Sequence, residues 1–144
     1  MVIEDTDPKQ YGTSFVDLAL FLQTHAAASR PLAMVLQPVC SCGTDSFYLE
    51  ADPCEECARR TCPDCGSESF LCESKELWPY AGTDPVVCHC GETLFEIGVG
   101  FATRADGEIA RVIVGRRCVQ CGGLGVAVDS QIDGAPSDHL FRMI

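Results

Sequence analysis

The chain has 144 residues, 47% of them hydrophobic, and a formal net charge of -11 from 10 Lys+Arg against 21 Asp+Glu. The hydrophobic share supports a buried core and excludes a disordered polar chain, while the acidic balance argues against a duplex-DNA binder, whose affinity draws on a Lys/Arg excess. The 11 cysteines are the dominant feature, a density that marks either a disulfide scaffold or a metal scaffold.

Residues 1–12 read as a polar lead-in. Met1-Val2-Ile3-Glu4-Asp5 has neither the basic start nor the apolar stretch of a signal peptide. The expectation is a cytoplasmic protein whose thiols stay reduced, where paired cysteines hold metal rather than form disulfides. Ser14-Phe-Val-Asp17 reads as a capping box opening a helix over 14–28, apolar on most faces through Phe15, Val16, Leu18, Leu20, Phe21 and Leu22. Such a helix is expected to pack across the two halves of the chain and add to their core. Residues 32–36 read as a strand closed by Pro38, and Phe47-Tyr-Leu49 begins another. Leu77 to Pro85 reads as a linker whose Trp78 and Tyr80 would seal an interface between the halves. Residues 94–103 and 108–114 flank Ala105-Asp106-Gly107, a strong hairpin signal, and 123–128 gives a further strand. Ser137/Asp138 could cap a short apolar turn in the tail, through Leu140, Phe141 and Ile144. No segment approaches the roughly 20 apolar residues of a membrane span, so no membrane association is expected.

Ten of the cysteines form close pairs: Cys40-x-Cys42, Cys54-x-x-Cys57, Cys62-x-x-Cys65, Cys88-x-Cys90 and Cys118-x-x-Cys121. Two thiolates so spaced can grip one ion from a tight turn, and two facing turns supply the tetrahedral four-thiolate set of structural zinc. Gly43, Gly66, Gly91 and Gly122 follow four of the pairs, where a positive φ would turn backbone N–H groups towards the sulfurs. Only Cys54/Cys57 lacks the glycine.

A repeat then assigns the ligands. A shift of 48 residues lays Cys40-Ser-Cys42-Gly43 on Cys88-His-Cys90-Gly91 and Phe47 on Phe95; a shift of 56 lays Arg60-Thr-Cys62 and Cys65-Gly66 on Arg116-Arg-Cys118 and Cys121-Gly122. The first site is then Cys40, Cys42, Cys62 and Cys65, and the second is Cys88, Cys90, Cys118 and Cys121, with one Zn2+ in each. Cys54 and Cys57 remain open as replacements for a pair of the first site, as spare thiols, as a redox pair, or as part of a third site with Cys72. Cys72 alone falls on Val128 in the repeat and reads as a small buried hydrophobe.

This layout resembles the zinc-ribbon family, in which two cysteine turns at the ends of a small antiparallel sheet clamp one zinc. The resemblance covers Val39 to Asp129 as two copies, and the CxCG turn departs from the commoner CxxC form. It implies a small, mainly β (α+β) fold: two tandem zinc ribbons with an N-terminal α-helix packed on them. The divisions expected are 1–38 for helix and lead-in strand, 39–76 for the first ribbon, 77–86 for the linker, 87–130 for the second ribbon and 131–144 for the tail. Family members act in transcription and translation machinery, as enzyme insertions and as protein-docking modules.

No Walker-type loop, GxSxG or dinucleotide fingerprint is present. Sites filled by four thiolates leave no position for an activated water, so enzymatic activity is not supported. His89 reads as a solvent-facing spacer inside a cysteine turn, and His25 and His139 need no special role. Arg59, Arg60, Arg116 and Arg117 lead into cysteine turns; they either compensate the negative charge of a four-thiolate zinc site or form a small basic patch for RNA or an acidic partner, with compensation preferred. The function expected is that of a non-catalytic, acidic zinc protein binding another protein with a basic face, in its sharpest form an immunity or inhibitor protein. A nucleic-acid or transcription-associated ribbon and a thiol-redox protein acting through Cys54/Cys57 are the alternatives.

Overall fold

Within the strand Leu94–Thr103, residues 97–102 alternate two kinds of side chain: large Ile97, Val99 and Phe101, in line with Phe95, at odd positions, and small Gly98, Gly100 and Ala102 at even ones. Successive residues of a strand face opposite ways, so one face can accept a bulky core and the other a closely approaching helix. Both happen, and the strand is buried on both faces over most of its length.

The computed structural model describes residues 10–26, 31–52, 57–71, 84–105 and 107–131. Within them lie one helix, α1 (Phe15–Ala26), and eight strands: β1 (Met34–Leu36), β2 (Phe47–Asp52), β3 (Cys57–Thr61), β4 (Glu68–Leu71), β5 (Asp84–Pro85), β6 (Leu94–Thr103), β7 (Ile109–Cys118) and β8 (Leu124–Gln131). All pair antiparallel in one sheet of order β4-β3-β2-β6-β7-β8, with β1 beside β6 and β5 beside β2. The fold is thus a small, mostly β antiparallel sheet with one N-terminal helix.

The halves of the repeat meet inside this sheet. β2 and β6 pair through only two residues, Phe47 with Phe95 and Tyr48 with Leu94, and Phe47 and Phe95 are equivalents under the 48-residue shift. Beyond Tyr48 the strands part: β2 takes β5 as its neighbour at Glu50 and Ala51, and β6 takes β1 from Val99 to Phe101. The sheet therefore bends at the junction, and β2 and β3 come round to touch β8. Between these wings lies the larger apolar cluster, including Phe47, Leu49, Leu71, Phe95, Ile97, Val99, Phe101, Val112, Val114 and Val128.

The other face carries the helix. Leu18, Leu22 and Ala26, spaced by four residues, are fully buried and form a cluster with Leu32, Ala102 and Ile113. The expected box at the helix start differs in its partner: Asp17 accepts from Thr13 N at 2.8 Å and Thr13 Oγ1 at 3.1 Å. The helix touches β6, β7 and β8, so it covers the second half of the repeat rather than lying across both as expected. Small residues explain the choice: Gly98 and Gly115 open the face of β6 and β7 to Phe15, Leu18 and Leu22. A Cβ at Gly115 would stand 2.5 Å from Leu22 Cδ2 and 2.9 Å from Cδ1. Gly115→Ala is expected to cost about 1–3 kcal/mol by overpacking, read in chemical denaturation, with the bound metal retained.

Arg111 sits nearly buried in this half and forms a two-pronged pair with Asp129, Nε to Oδ1 at 2.8 Å and Nη2 to Oδ2 at 2.6 Å. The arginine holds the Asp129 carboxyl below its ordinary value, and His25 Nε2 lies 3.1 Å from the same carboxylate. Cys54, Cys72, Trp78, Tyr80, the tail from 132 and the residues 27 and 28 expected in the helix lie outside the described residues. No described helix is long and apolar enough to cross a membrane.

Candidate metal centres

Each CxCG turn is closed by the same two backbone bonds. Cys40 N donates to Thr44 O and Gly43 N to Cys40 O; Cys88 N donates to Glu92 O and Gly91 N to Cys88 O, all at 2.8 Å. The CxxCG turns repeat the pattern: Cys62 N to Ser67 O and Gly66 N to Cys62 O, Cys118 N to Gly123 O and Gly122 N to Cys118 O, at 2.9–3.0 Å. The glycine closing each turn has a positive φ, at 99°, 77°, 94° and 78° for Gly43, Gly66, Gly91 and Gly122. Such turns aim N–H groups at sulfur: Gln120 N and Cys121 N lie 3.4 and 3.5 Å from Cys118 Sγ, and Gly123 N lies 3.4 Å from Cys121 Sγ.

Strand pairing brings the turns together. Phe95 is opposite Cys118, so the turn before β6 meets the turn after β7; Tyr48 is opposite Thr61, which does the same for β2 and β3. Two clusters result, Cys40/Cys42/Cys62/Cys65 and Cys88/Cys90/Cys118/Cys121, with the sulfurs of each within 4.8 Å of one another. The nearest contacts run between turns: Cys40 to Cys65 and Cys42 to Cys62 at 3.5 Å, Cys88 to Cys121 at 3.5 Å and Cys90 to Cys118 at 3.6 Å. Four sulfurs about 2.3 Å from a shared ion at tetrahedral angles stand about 3.8 Å apart. Each cluster could therefore hold one metal ion.

Cys57 is elsewhere. It is the first residue of β3, opposite Asp52 at the far end of the β2–β3 pair. Cys62 lies five positions further on, about 16 Å along a strand. The first cluster is complete without it.

Cys62 and Cys65 in the first cluster and Cys118 in the second ionise more readily than a free thiol, Cys65 chiefly through hydrogen bonds from Ser67. Burial opposes ionisation of Cys62, but N–H groups of Cys65 and Asp64 and the thiols of Cys42 and Cys65 outweigh it and bring the sulfur down to about 6. Its equivalent Cys118 is brought down to about 7, where N–H groups of Cys121 and Gln120 and the thiols of Cys90 and Cys88 outweigh burial. At Cys40 the N–H of Cys42 favours the thiolate, yet burial and the adjoining thiols of Cys42, Cys65 and Cys62 prevail and push it up to about 11. Four sulfurs this close cannot all ionise without a cation among them.

All four arginines that lead into the turns are engaged within the chain. Arg60 lies over the Phe47 ring, 4.4 Å from its centroid, and its repeat equivalent Arg116 lies over Phe95 at 5.1 Å. Arg59 pairs with Glu50 and, at 3.6 Å, with Glu68; Arg117 pairs with Glu96 at 2.6 Å and donates to Gly12 O at 3.2 Å. Arg60 is 7% exposed and feels the charge of Cys40 and Cys62. Arg60→Met keeps the length and loses the charge; metal affinity of the first cluster is expected to fall roughly 10-fold, with the second cluster unchanged, in competition titration against a chelator.

Two contacts escaped the sequence because neither belongs to a motif. Thr44 Oγ1 donates to the Asp64 carboxylate, tying together the turns of the first cluster. Residues 10–12 run across the second: Gly12 N donates to Gly122 O and Leu124 N to Gln10 O, both at 2.8 Å, and Tyr11 bridges to Gly123. The Tyr11 hydroxyl reaches His89 Nε2 at 3.3 Å, while His89 Nδ1 is 3.6 Å from Cys88 Sγ. His89 is exposed, as a spacer would be.

No protein-family model, curated protein or solved structure matches this chain.

Proposed function

We propose that the chain is a non-catalytic protein of tandem zinc-ribbon type, holding two Zn2+ ions and binding another protein that presents a basic face. Four thiolates in a closed tetrahedral set are the donors of structural zinc, and such a site leaves no coordination position for a substrate or an activated water. The observation that carries the choice of partner is the fate of the arginines: all four near the cysteine turns are turned onto rings and carboxylates of the same chain. The outward field is left to the acidic residues on a chain of net charge -11. Eight thiolates and two divalent ions would make that charge more negative by about four. A field of this sign repels phosphate backbones and steers basic proteins to the surface over about a Debye length. An inhibitor-type role in the cytoplasm, with fast capture of a basic partner, fits that field.

The test is binding of the zinc-loaded protein, at two salt concentrations, to single-stranded RNA, to duplex DNA and to a protein partner captured after nuclease treatment. The reading predicts a protein partner whose association slows as salt rises while dissociation changes less. Tight, nuclease-sensitive binding lost in an Arg116→Ala/Arg117→Ala double variant would contradict it and support a nucleic-acid ribbon.

A further inference from the structure

We propose that the two centres differ in lability: the Cys40/Cys42/Cys62/Cys65 centre exchanges its zinc with outside ligands, while the Cys88/Cys90/Cys118/Cys121 centre is sealed and holds the fold. This rests on the two-zinc reading above.

Ligand exchange at a four-thiolate centre begins when an incoming donor bonds the ion and one cysteine sulfur leaves it, taking a proton from solvent. The step needs a reachable sulfur and a turn that can swing away. At the first centre, Cys42 and Cys65 are both exposed, one from each turn. At the second, Cys90 is exposed but Cys121 is half-buried. The difference has a visible cause in residues 10–12, whose backbone bonds and Tyr11–His89 contact tie the Cys118/Cys121 turn to the Cys88/Cys90 turn. A Cβ at Gly122 would lie 2.4 Å from Gly12 O, so the strap covers the Cys118/Cys121 turn; at Gly91 in the other turn of the second centre, and at Gly43 and Gly66 in both turns of the first, it would meet nothing within 4 Å.

The supporting strands differ in the same direction. The second centre stands at the ends of β6 and β7, ten residues each and covered by α1. The first hangs on β2 and β3, of six and five residues, and its turns are joined by the Thr44–Asp64 contact between side chains. Segments with fewer buried contacts open at lower cost. The first centre can therefore release its ion while the second half of the sheet stays folded, making zinc occupancy a signal that a partner of this chain could read.

The experiment uses the full chain loaded with zinc, mixed with excess 4-(2-pyridylazo)resorcinol, whose absorbance follows zinc transfer. N-ethylmaleimide is added before the chelator in one sample and after the first phase in another, and peptides are compared by mass spectrometry. The expected result is two phases of one ion each, the first roughly 10- to 100-fold faster, with new label on Cys40, Cys42, Cys62 and Cys65. Gly12→Val, which would clash with Asp17, should speed the second phase and leave the first unchanged; if it fails to fold, Tyr11→Ala gives the same comparison. Release of both ions in one phase, first label on the second cluster, or strap variants without effect on the second phase would overturn the proposal. A loaded protein holding fewer than two ions would instead overturn the two-zinc reading beneath it.

Discussion

Removing both ions is expected to abolish the cooperative thermal unfolding transition of this protein. Cys40, Cys62, Cys88 and Cys118 are buried members of the larger apolar cluster, so the clusters are part of the core and not appendages to it. Without a cation, each gathers four sulfurs whose charge has no counterion among them. Structural zinc binding is worth about 10–16 kcal/mol per site at neutral pH, and a domain of ordinary stability has only about 5–15 kcal/mol in total. Loss of both ions together thus outweighs the whole stability. Calorimetry or circular dichroism of chelated protein, with zero zinc verified by elemental analysis, checks this. A transition surviving in such protein would show that the apolar clusters alone hold the sheet.

Cys118→Ser is expected to prevent folding or to cost more than about 4 kcal/mol, a loss confined to a few mechanisms of which a broken metal site is one. Cys118 ends β7, is fully buried, lies opposite Phe95 and receives two backbone N–H groups on its sulfur. A serine there removes one ligand of four and leaves the remaining sulfurs around an incomplete site. Cys57→Ser, about 16 Å from the first cluster along β3, is expected to retain both ions and to unfold within about 0.5 kcal/mol of the parent. Zinc content and chemical denaturation of the two variants make the comparison. Equal loss of zinc from both would put Cys57 among the ligands.

The cysteine turns were legible because their chemistry is local: pair spacing and a following glycine define the turn, and positive φ at Gly43, Gly66, Gly91 and Gly122 is the backbone form of that signal. The hairpin was legible for the same reason, with β6 occupying the expected residues 94–103 because its apolar run is long and Gly107 takes a positive φ. β7 runs on to Cys118, beyond the expected 114, since Arg116 and Arg117 fold back on Phe95 and Glu96 and need not leave the sheet. In β3, Arg59 and Arg60 hid a strand in the same way, their partners Glu50 and Phe47 being supplied by its neighbour. β5, a two-residue strand containing Pro85, lay within what read as a linker. The junction of the halves was beyond sequence reading, because it rests on two paired residues brought together by the bend. So was the strap of residues 10–12, whose contacts are mostly backbone.

X-ray absorption at the zinc edge, combined with elemental analysis of protein purified without added metal, tests the central claim most directly. Two closed four-thiolate centres predict two zinc ions per chain and a first shell of four sulfurs at about 2.3 Å, with no nitrogen or oxygen. One ion per chain, or a shell containing nitrogen or oxygen donors, would contradict it.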